Sequence, residues 1–257
     1  MVTGPDGPHL GFFQCFWLLV GETVTNMVKV AFNNDKVPKH INKNLITLTP
    51  KHTGADRIGS LRPISLCNIV YKIIKKIIVA WLRPFLSNLI SSMQAAFVSG
   101  IKGMDNVIIA QEILHTMSGK KGNVGFMNLK IDLDKDYDRL EGASFRTISG
   151  CLISQIILWM WLWAASHPLV LFNGGALEGF QQSRGIRQSD PLSPYIFIMF
   201  MEVLGFMKKD KCDSKLWDPV KTSRGGLGFS FLFFADDLIL FGKANRKKLH
   251  QNKRSPW

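Results

Sequence analysis

Apolar residues recur every three or four positions in the N-terminal half of the chain, which is the pattern of amphipathic helices. The first predicted helix has the apolar positions Phe13, Trp17, Val20, Val24, Met27 and Ala31. A second is predicted from the cap Asn68 to about Arg83, and Pro84 should break or kink it. Its apolar positions are Val70, Ile73, Ile74, Ile77, Ile78 and Trp81, with the lysines elsewhere around the helix. A third helix is predicted from Asp105 to about Met117.

Alternation with a period of two and short apolar runs predict strands between and after these helices. The runs are Leu45–Leu48, Gly125–Leu133, Leu169–Phe172 before a glycine turn, and a hairpin at Phe231–Phe241. Ser193 is predicted to cap a helix that Pro194 starts and that runs to about Met207. This mixture of helices and strands is compatible with either an α/β or an α+β fold.

Charge and cysteine content narrow the class of protein. The 32 Lys and Arg against 19 Asp and Glu give a net charge of +13, which favours nucleic acid first and an acidic membrane surface second as partner. The four cysteines have no CxxC spacing, so reduced thiols in an intracellular protein are expected, in the nucleus or the cytoplasm. The longest apolar stretch, Cys151–Ala165, is shorter than the ~20 residues of a membrane span. It is predicted to be a buried core helix.

Acidic residues interrupt two otherwise apolar stretches. Asp132 ends the Gly125–Leu133 strand, and Asp236 and Asp237 lie between two apolar runs. A simple hairpin turn explains an Asp-Asp pair equally well. If the three acids converge at one end of a sheet, however, their mutual repulsion would be relieved by divalent cations such as Mg²⁺, as in phosphoryl transfer.

Motifs in a fixed order along nearly the whole chain carry a family resemblance. These segments are Gly4–Gly7, Gly11–Gln14, Leu45–Leu48, Arg62–Asn68, Gln94–Gly100, Asp105–Glu112, Lys130–Arg139, Arg184–Pro194 and Phe234–Asp237. Together they resemble the reverse transcriptase domain of plant LINE-type (non-LTR) retrotransposons. The resemblance implies an α+β right-hand polymerase fold, with fingers and an antiparallel palm sheet with packed helices, and the thumb absent. It implies a fingers-like region at 1–123, a palm-like region at 124–242 and a basic tail at 243–257.

The same resemblance implies roles for individual residues. Asp132, Asp236 and Asp237 would be the catalytic acids and would bind two Mg²⁺ ions, with Mn²⁺ as a possible substitute. The residues implied to contact the incoming nucleotide are Arg62, Leu133, Tyr137, Gln188 and Ser189. The implied partners are an RNA template, a DNA primer and deoxynucleoside triphosphates; no membrane is expected, and no protein partner can be inferred. Ordinary packing for Tyr137 and a solvated loop for Arg62 remain alternatives.

Departures from the family pattern leave two functional readings open. Ser189 stands where the family has Gly, so its Cβ would crowd the nucleotide or force a disfavoured φ. We expect that cost in the nucleotide-bound state, with little effect of Ser189→Gly on fold stability. Asp136 stands where a small residue is usual, and the chain stops soon after the Asp-Asp hairpin. The first reading is therefore a truncated RNA-directed DNA polymerase, and the alternative is an inactive relic that binds nucleic acid.

Overall fold

The structure is a computed structural model of the 257-residue chain. It describes residues 4–34, 37–98, 103–120, 125–133, 136–140, 168–172, 174–180, 182, 184–223 and 225–244. The chain forms two compact units, each built from two separate stretches. The first unit is Met1–Pro84 with Tyr137–Ile196, and the second is Phe85–Asp136 with Phe197–Trp257. The predicted regions 1–123, 124–242 and 243–257 were drawn from the resemblance and stay a prediction.

Helices and strands alternate irregularly, as in an α+β fold. The helices are α1 (Leu10–Cys15), α2 (Trp17–Asn33), α3 (Ile69–Leu89), α4 (Gly103–Gly119), α5 (Asp136–Arg139) and α6 (Ser193–Asp213). The strands are β1 (Asn44–Pro50), β2 (Leu61–Cys67), β3 (Phe126–Asp132), β4 (Leu169–Phe172), β5 (Gly175–Ala176), β6 (Val220–Lys221), β7 (Gly228–Phe229), β8 (Phe231–Phe234) and β9 (Asp237–Lys243). None of the described helices is long and apolar enough to cross a membrane.

The first unit is organised by a four-stranded sheet of order β2-β1-β4-β5. Strand β1 pairs antiparallel with β2 and parallel with β4, and β4 pairs antiparallel with β5. In α2 the buried positions are Gly21, Val24, Val28 and Ala31, so the buried face is rotated from the predicted stripe. The predicted Trp17 and Met27 are exposed instead.

The second unit contains a three-stranded antiparallel sheet of order β3-β9-β8. Ile113 of α4 packs in a buried cluster with Val220 of β6, Leu232 of β8 and Phe241 of β9. These apolar side chains fix β8 and β9 on the helix. The strand predicted at Gly125–Leu133 and the hairpin predicted around residues 235–237 are both confirmed, but Leu129 on the predicted apolar face of β3 is exposed.

Four expectations about the helices are wrong. Helix α3 continues past Pro84 to Leu89 instead of ending at about Arg83, and Leu86 beyond the proline is buried, which favours the longer helix. Lys75, expected away from the apolar face of α3, is fully buried. Helix α6 extends beyond Met207 to Asp213, and the Ser193 hydroxyl makes no hydrogen bond within the described residues. The predicted core helix at Cys151–Ala165 lies outside the described residues.

Candidate functional site: a carboxylate turn and a nucleotide-loop candidate

The acidic end of the three-stranded sheet is built by strand register. Seven consecutive pairs join β3 to β9, and the last of them places Asp132 directly opposite Asp237. Cα atoms in such directly opposed pairs are about 4.5–5.5 Å apart. Asp236 precedes Asp237 in the turn. The prediction that the three acids converge at one end of a sheet is therefore confirmed for their backbone positions.

The Asp-Asp turn (Phe234–Asp237) is a two-residue connection between β8 and β9. Phe234 pairs with Asp237, so only Ala235 and Asp236 form the loop. Ala235 has a φ of 53°, in the left-handed region that two-residue hairpins require. Asp236 is exposed and Asp237 half-buried, so the carboxylates face solvent rather than the core.

A lysine lies against the acids. Lys130, two residues before Asp132 on the same face of β3, places Nζ 3.0 Å from Oδ1 of Asp237. The hydrogen bond to Asp237, the charge of Asp237 and the charges of Asp132 and Asp236 raise the pKa of Lys130. Like charges directly opposite each other in a sheet are destabilising, and this ammonium group partly offsets them. All three carboxylates thus attract one cation.

The convergence of the three acids does not by itself provide the geometry of a metal site. In the part of the chain that the structure describes, no three His, Cys, Asp or Glu side chains are arranged to hold a metal ion. The Asp237 carboxylate is engaged by Lys130. The donor set nevertheless suits a hard divalent cation, because Mg²⁺ prefers carboxylate oxygens. Leu133 directly follows Asp132 and is half-buried.

In the first unit, the Ser189 loop (Gly185–Leu192) leads into α6. Ser189 is exposed and has a φ of 77°. The expectation that a Cβ at this position meets a disfavoured φ is confirmed. The positive φ is present without nucleotide, however, so we expect Ser189→Gly to affect fold stability as well as nucleotide binding.

Neighbouring segments of the first unit hold the first half of the Ser189 loop. The Ile186 N–H donates to the Tyr137 carbonyl at 2.8 Å, and the Ser65 N–H donates to the Gln188 carbonyl at 3.1 Å. The Gln188 side chain donates to Asp138 at 3.4 Å. Tyr137, on the short helix α5, is half-buried and reaches the loop by its carbonyl oxygen. Tyr137 and Gln188 are therefore brought together, whereas Arg62 has an exposed side chain on β2, three residues before Ser65.

Beneath the loop lies a buried network that pattern analysis missed, formed by Tyr71, Lys75, Arg187 and Asp190. The Tyr71 hydroxyl donates to Asp190 Oδ2 at 2.5 Å, and Asp190 Oδ1 accepts the Leu192 N–H at 2.8 Å. The Arg187 guanidinium lies 4.6 Å from the centre of the Tyr71 ring, and Lys75 Nζ lies 5.0 Å from it.

Two cations and one carboxylate therefore share this interior, and burial shifts the pKa of Lys75 and of Tyr71. Burial lowers the pKa of Lys75 to about 8, against the opposing attraction of Asp190, and Arg187 lowers it further. Burial also raises the pKa of Tyr71 well above its usual value. The Asp190 carboxylate, rather than the Ser193 hydroxyl, thus accepts a backbone N–H next to the start of α6, that of Leu192. The one sequence signal for this arrangement was the position of Lys75 within an apolar helix.

Comparison with known proteins finds a matching family model and related proteins. The family model described as reverse transcriptase (RNA-dependent DNA polymerase) matches residues 49–255. The chain is 27% identical to the Transposon TX1 uncharacterized 149 kDa protein of Xenopus laevis, covering 92% of this chain and 18% of that protein. It is 23% identical to the Pol polyprotein from the type-1 retrotransposable element R2 of Nasonia vitripennis, covering 93% and 22%. The chain thus spans about a fifth of the length of these relatives.

Solved structures agree at the level of the fold. Apo telomerase from Candida tropicalis matches with a TM-score of 0.54 and 14% identity, over 84% of this chain and 46% of that one. Telomerase from Candida albicans, in complex with a fragment of telomeric RNA, matches with a TM-score of 0.51 and 16% identity, over 85% and 41%. The expected α+β fold with an antiparallel sheet is confirmed. With the family model matching most of its residues, the chain belongs to the reverse transcriptase (RNA-dependent DNA polymerase) family.

Proposed function

We propose that the chain is part of the RNA-directed DNA polymerase of a plant LINE-type (non-LTR) retroelement. It would add deoxynucleotides to the 3′-hydroxyl of a DNA primer on an RNA template. The observation that carries the proposal is the pairing of Asp132 with Asp237, beside Asp236, in a chain of this family. In this proposal residues 1–123 are fingers-like, 124–242 palm-like and 243–257 a basic tail.

The acids of the second unit would bind two Mg²⁺ ions, for which Mn²⁺ could substitute. Such ions supply charge neutralisation on the attacking and leaving oxygens of phosphoryl transfer. The fit rests on the oxygen donors of Asp132, Asp236 and Asp237 and on the attraction that they already exert on Lys130. Asp236 is exposed and is the acid most ready to bind, whereas Asp237 would first exchange its ion pair with Lys130. Leu133 would contribute its backbone rather than its side chain.

The Ser189 loop would contact the incoming nucleotide. Gln188 and Ser189 precede α6, and the positive end of the dipole of this helix favours a triphosphate. Tyr137 would lie under the sugar, and Arg62 would contact the triphosphate or the template. Supporting this assignment, the Tyr137 carbonyl and the loop are joined by a hydrogen bond in the first unit.

A second candidate function, an inactive relic that binds nucleic acid, is favoured by one observation. Ser189 has a φ of 77° where the family has Gly, and a serine side chain limits close approach of the backbone to a ligand. The net charge of +13 would still attract phosphates. Both candidates predict binding, but only the first predicts turnover.

Primer extension separates the two candidates. On a primed RNA template with Mg²⁺ or Mn²⁺, we expect extension by the chain and a loss of about 10³-fold or more in Asp236→Asn, since Lewis-acid stabilisation is worth several kcal/mol. Asp210→Asn, an exposed acid on α6, is the matched control and should retain activity. If extension is absent while RNA is still bound, the relic is the correct description.

Salt dependence tests the binding that both candidates require. If about five phosphates are neutralised on a single strand, the logarithm of affinity should fall against the logarithm of salt concentration with a slope of roughly −3 to −4. Titrations of a fluorescent RNA and of a DNA of the same sequence at several salt concentrations measure this slope. An affinity that does not change with salt would contradict a surface that binds the phosphate backbone.

A further inference from the structure

The Asp-Asp turn is held from behind by a segment that is distant in sequence. Gln94 is fully buried and forms an isolated parallel bridge with Phe233. Its side-chain oxygen Oε1 accepts the Ala96 N–H at 3.0 Å and the Ala235 N–H at 3.3 Å. The buried Gln94 amide therefore links its own segment to Ala235, the first loop residue of the Asp-Asp turn.

Backbone bonds fix the strand residues that lead into the turn. The Phe233 N–H donates to the Met93 carbonyl at 2.8 Å, and the Ala95 N–H donates to the Phe233 carbonyl at 3.3 Å. Asn106 of α4 donates to the carbonyls of both Met93 and Phe233. Phe233 is thus held from two directions, which leaves the two loop residues as the adjustable part of the turn.

Ala235 is the residue at which this support matters most. Its φ of 53° is a conformation that residues with a Cβ adopt rarely. The Gln94 oxygen accepts its N–H and so favours this conformation over relaxed alternatives. A different φ at Ala235 would redirect the next residue, Asp236, and change its position relative to Asp132.

We propose that Gln94 is a positioning residue for the acids of the Asp-Asp turn, holding Ala235 so that Asp236 faces the same region as Asp132 and Asp237. The inference rests on the proposed function, because it assumes that these acids bind divalent cations. Gln94 itself would not touch the substrate. Its effect on cation binding passes entirely through the backbone of Ala235.

The test is direct binding of Mn²⁺ to the full chain, measured by electron paramagnetic resonance without nucleotide or primer. Gln94→Met keeps the volume and removes the acceptor, and should weaken Mn²⁺ binding roughly tenfold, the loss expected for about one hydrogen bond. Asn106→Leu is the matched control, since Asn106 is also buried and bonds to Phe233 but not to Ala235. It should lower thermal stability and leave Mn²⁺ affinity within about twofold, because Ala95 still bonds to the Phe233 carbonyl.

A rescue variant distinguishes positioning from general damage. Glycine adopts positive φ without the steric cost of a Cβ, so Ala235→Gly in the Gln94→Met background should restore part of the lost Mn²⁺ affinity. If Gln94→Met does not fold, Gln94→Asn carries the test, because its shorter amide cannot reach the Ala235 N–H. Unchanged Mn²⁺ affinity in the folded Gln94 variant, or an equal loss in Asn106→Leu, overturns the proposal. If Asp236→Asn also leaves Mn²⁺ binding unchanged, the metal role in the proposed function fails as well.

Discussion

The Asp-Asp turn and the Ser189 loop present the same backbone difficulty and are supported in different ways. Each contains a non-glycine residue with positive φ, 53° at Ala235 and 77° at Ser189. The turn is held by neutral groups, a buried amide and backbone bonds. The loop lies on the buried network, which contains ionisable groups. The same kind of backbone strain can therefore respond very differently to pH and to mutation.

The difference follows from what each region has to tolerate. The Asp-Asp turn exposes like charges, so further charges beneath it would alter the field at the carboxylates. In the Ser189 loop, the exposed Ser189 and the half-exposed Gln188 carry no charge. The charged Arg187 and Asp190 are buried beside Tyr71. Neutral groups therefore support the turn that exposes charges, and charged groups support the loop whose exposed residues are neutral.

The largest expected effect comes from removing the one acid of the buried network. Asp190→Asn removes the carboxylate that attracts Lys75 and lies beneath the loop with Arg187, and breaking a buried ionic group in this way costs about 3–5 kcal/mol. Chemical denaturation measures the loss in free energy of unfolding. Asp210→Asn, an exposed acid on the same helix α6, should change it by no more than about 0.5 kcal/mol. Equal losses of unfolding free energy in the two variants would mean that the charge of Asp190 does not stabilise the buried network.

Titration of Lys75 should give the second effect. Its pKa is about 8 in the folded chain, against the ordinary lysine value of 10.5 in the unfolded chain, so between these values the unfolded chain holds more protons. Stability should therefore rise as the pH increases from about 8 to 10.5, by roughly 3 kcal/mol at most, and the penalty should be fully present below pH 8. Lys75→Met should remove this rise.

Denaturation at pH values of about 7.5 and 9.5 for the wild type and Lys75→Met tests this prediction. Lys208 in the second unit also has a pKa lowered by burial to about 8, so a smaller rise should persist in the variant. The informative quantity is the difference between the two slopes. If stability rises equally with pH in the wild type and in Lys75→Met, Lys75 is not the source of the rise.

The smallest effect compares the strained residues directly. Ser189→Gly should stabilise the fold by about 1 kcal/mol, the steric relief being reduced by the greater freedom of glycine in the unfolded chain. Ala235→Gly should gain less, since a φ of 53° is closer to the left-handed minimum than 77°. Thermal unfolding of both variants, with Ser189→Ala as a control that keeps the Cβ, measures the difference. A loss of stability in Ser189→Gly would contradict the assigned strain.

Sequence patterns were sufficient for elements whose signal is local. The alternation in β3 and the apolar runs around Asp236 and Asp237 predicted the sheet end where the acids meet. Strand β2 was not predicted, because Pro63 interrupts its pattern; proline is tolerated there since β2 is the edge strand of its sheet. The positive φ of Ser189 followed from the family resemblance rather than from any local pattern.

The supports of both regions could not be predicted, because they join residues that are remote in sequence. Tyr71 and Asp190 are 119 positions apart, and Gln94 and Ala235 are 141 positions apart. Lys75 was predicted to lie away from the apolar positions of its helix, and lysine is rarely fully buried. Only the folded chain shows that its ammonium group lies beside Tyr71 and in the field of Asp190.

The register between β3 and β9 has a consequence for how a gene encoding this domain can change. Seven ladder pairs end at Asp132 and Asp237, so substitutions along β3 leave the spacing of the two acids intact. Inserting or deleting a single codon within β3 would instead move Asp132 to the opposite face of the sheet. Two codons would restore the face but displace the acid by roughly 6–7 Å along the strand. Copies that diverge by substitution can therefore keep the acidic end of the sheet, whereas copies with small in-frame length changes in β3 lose it at once.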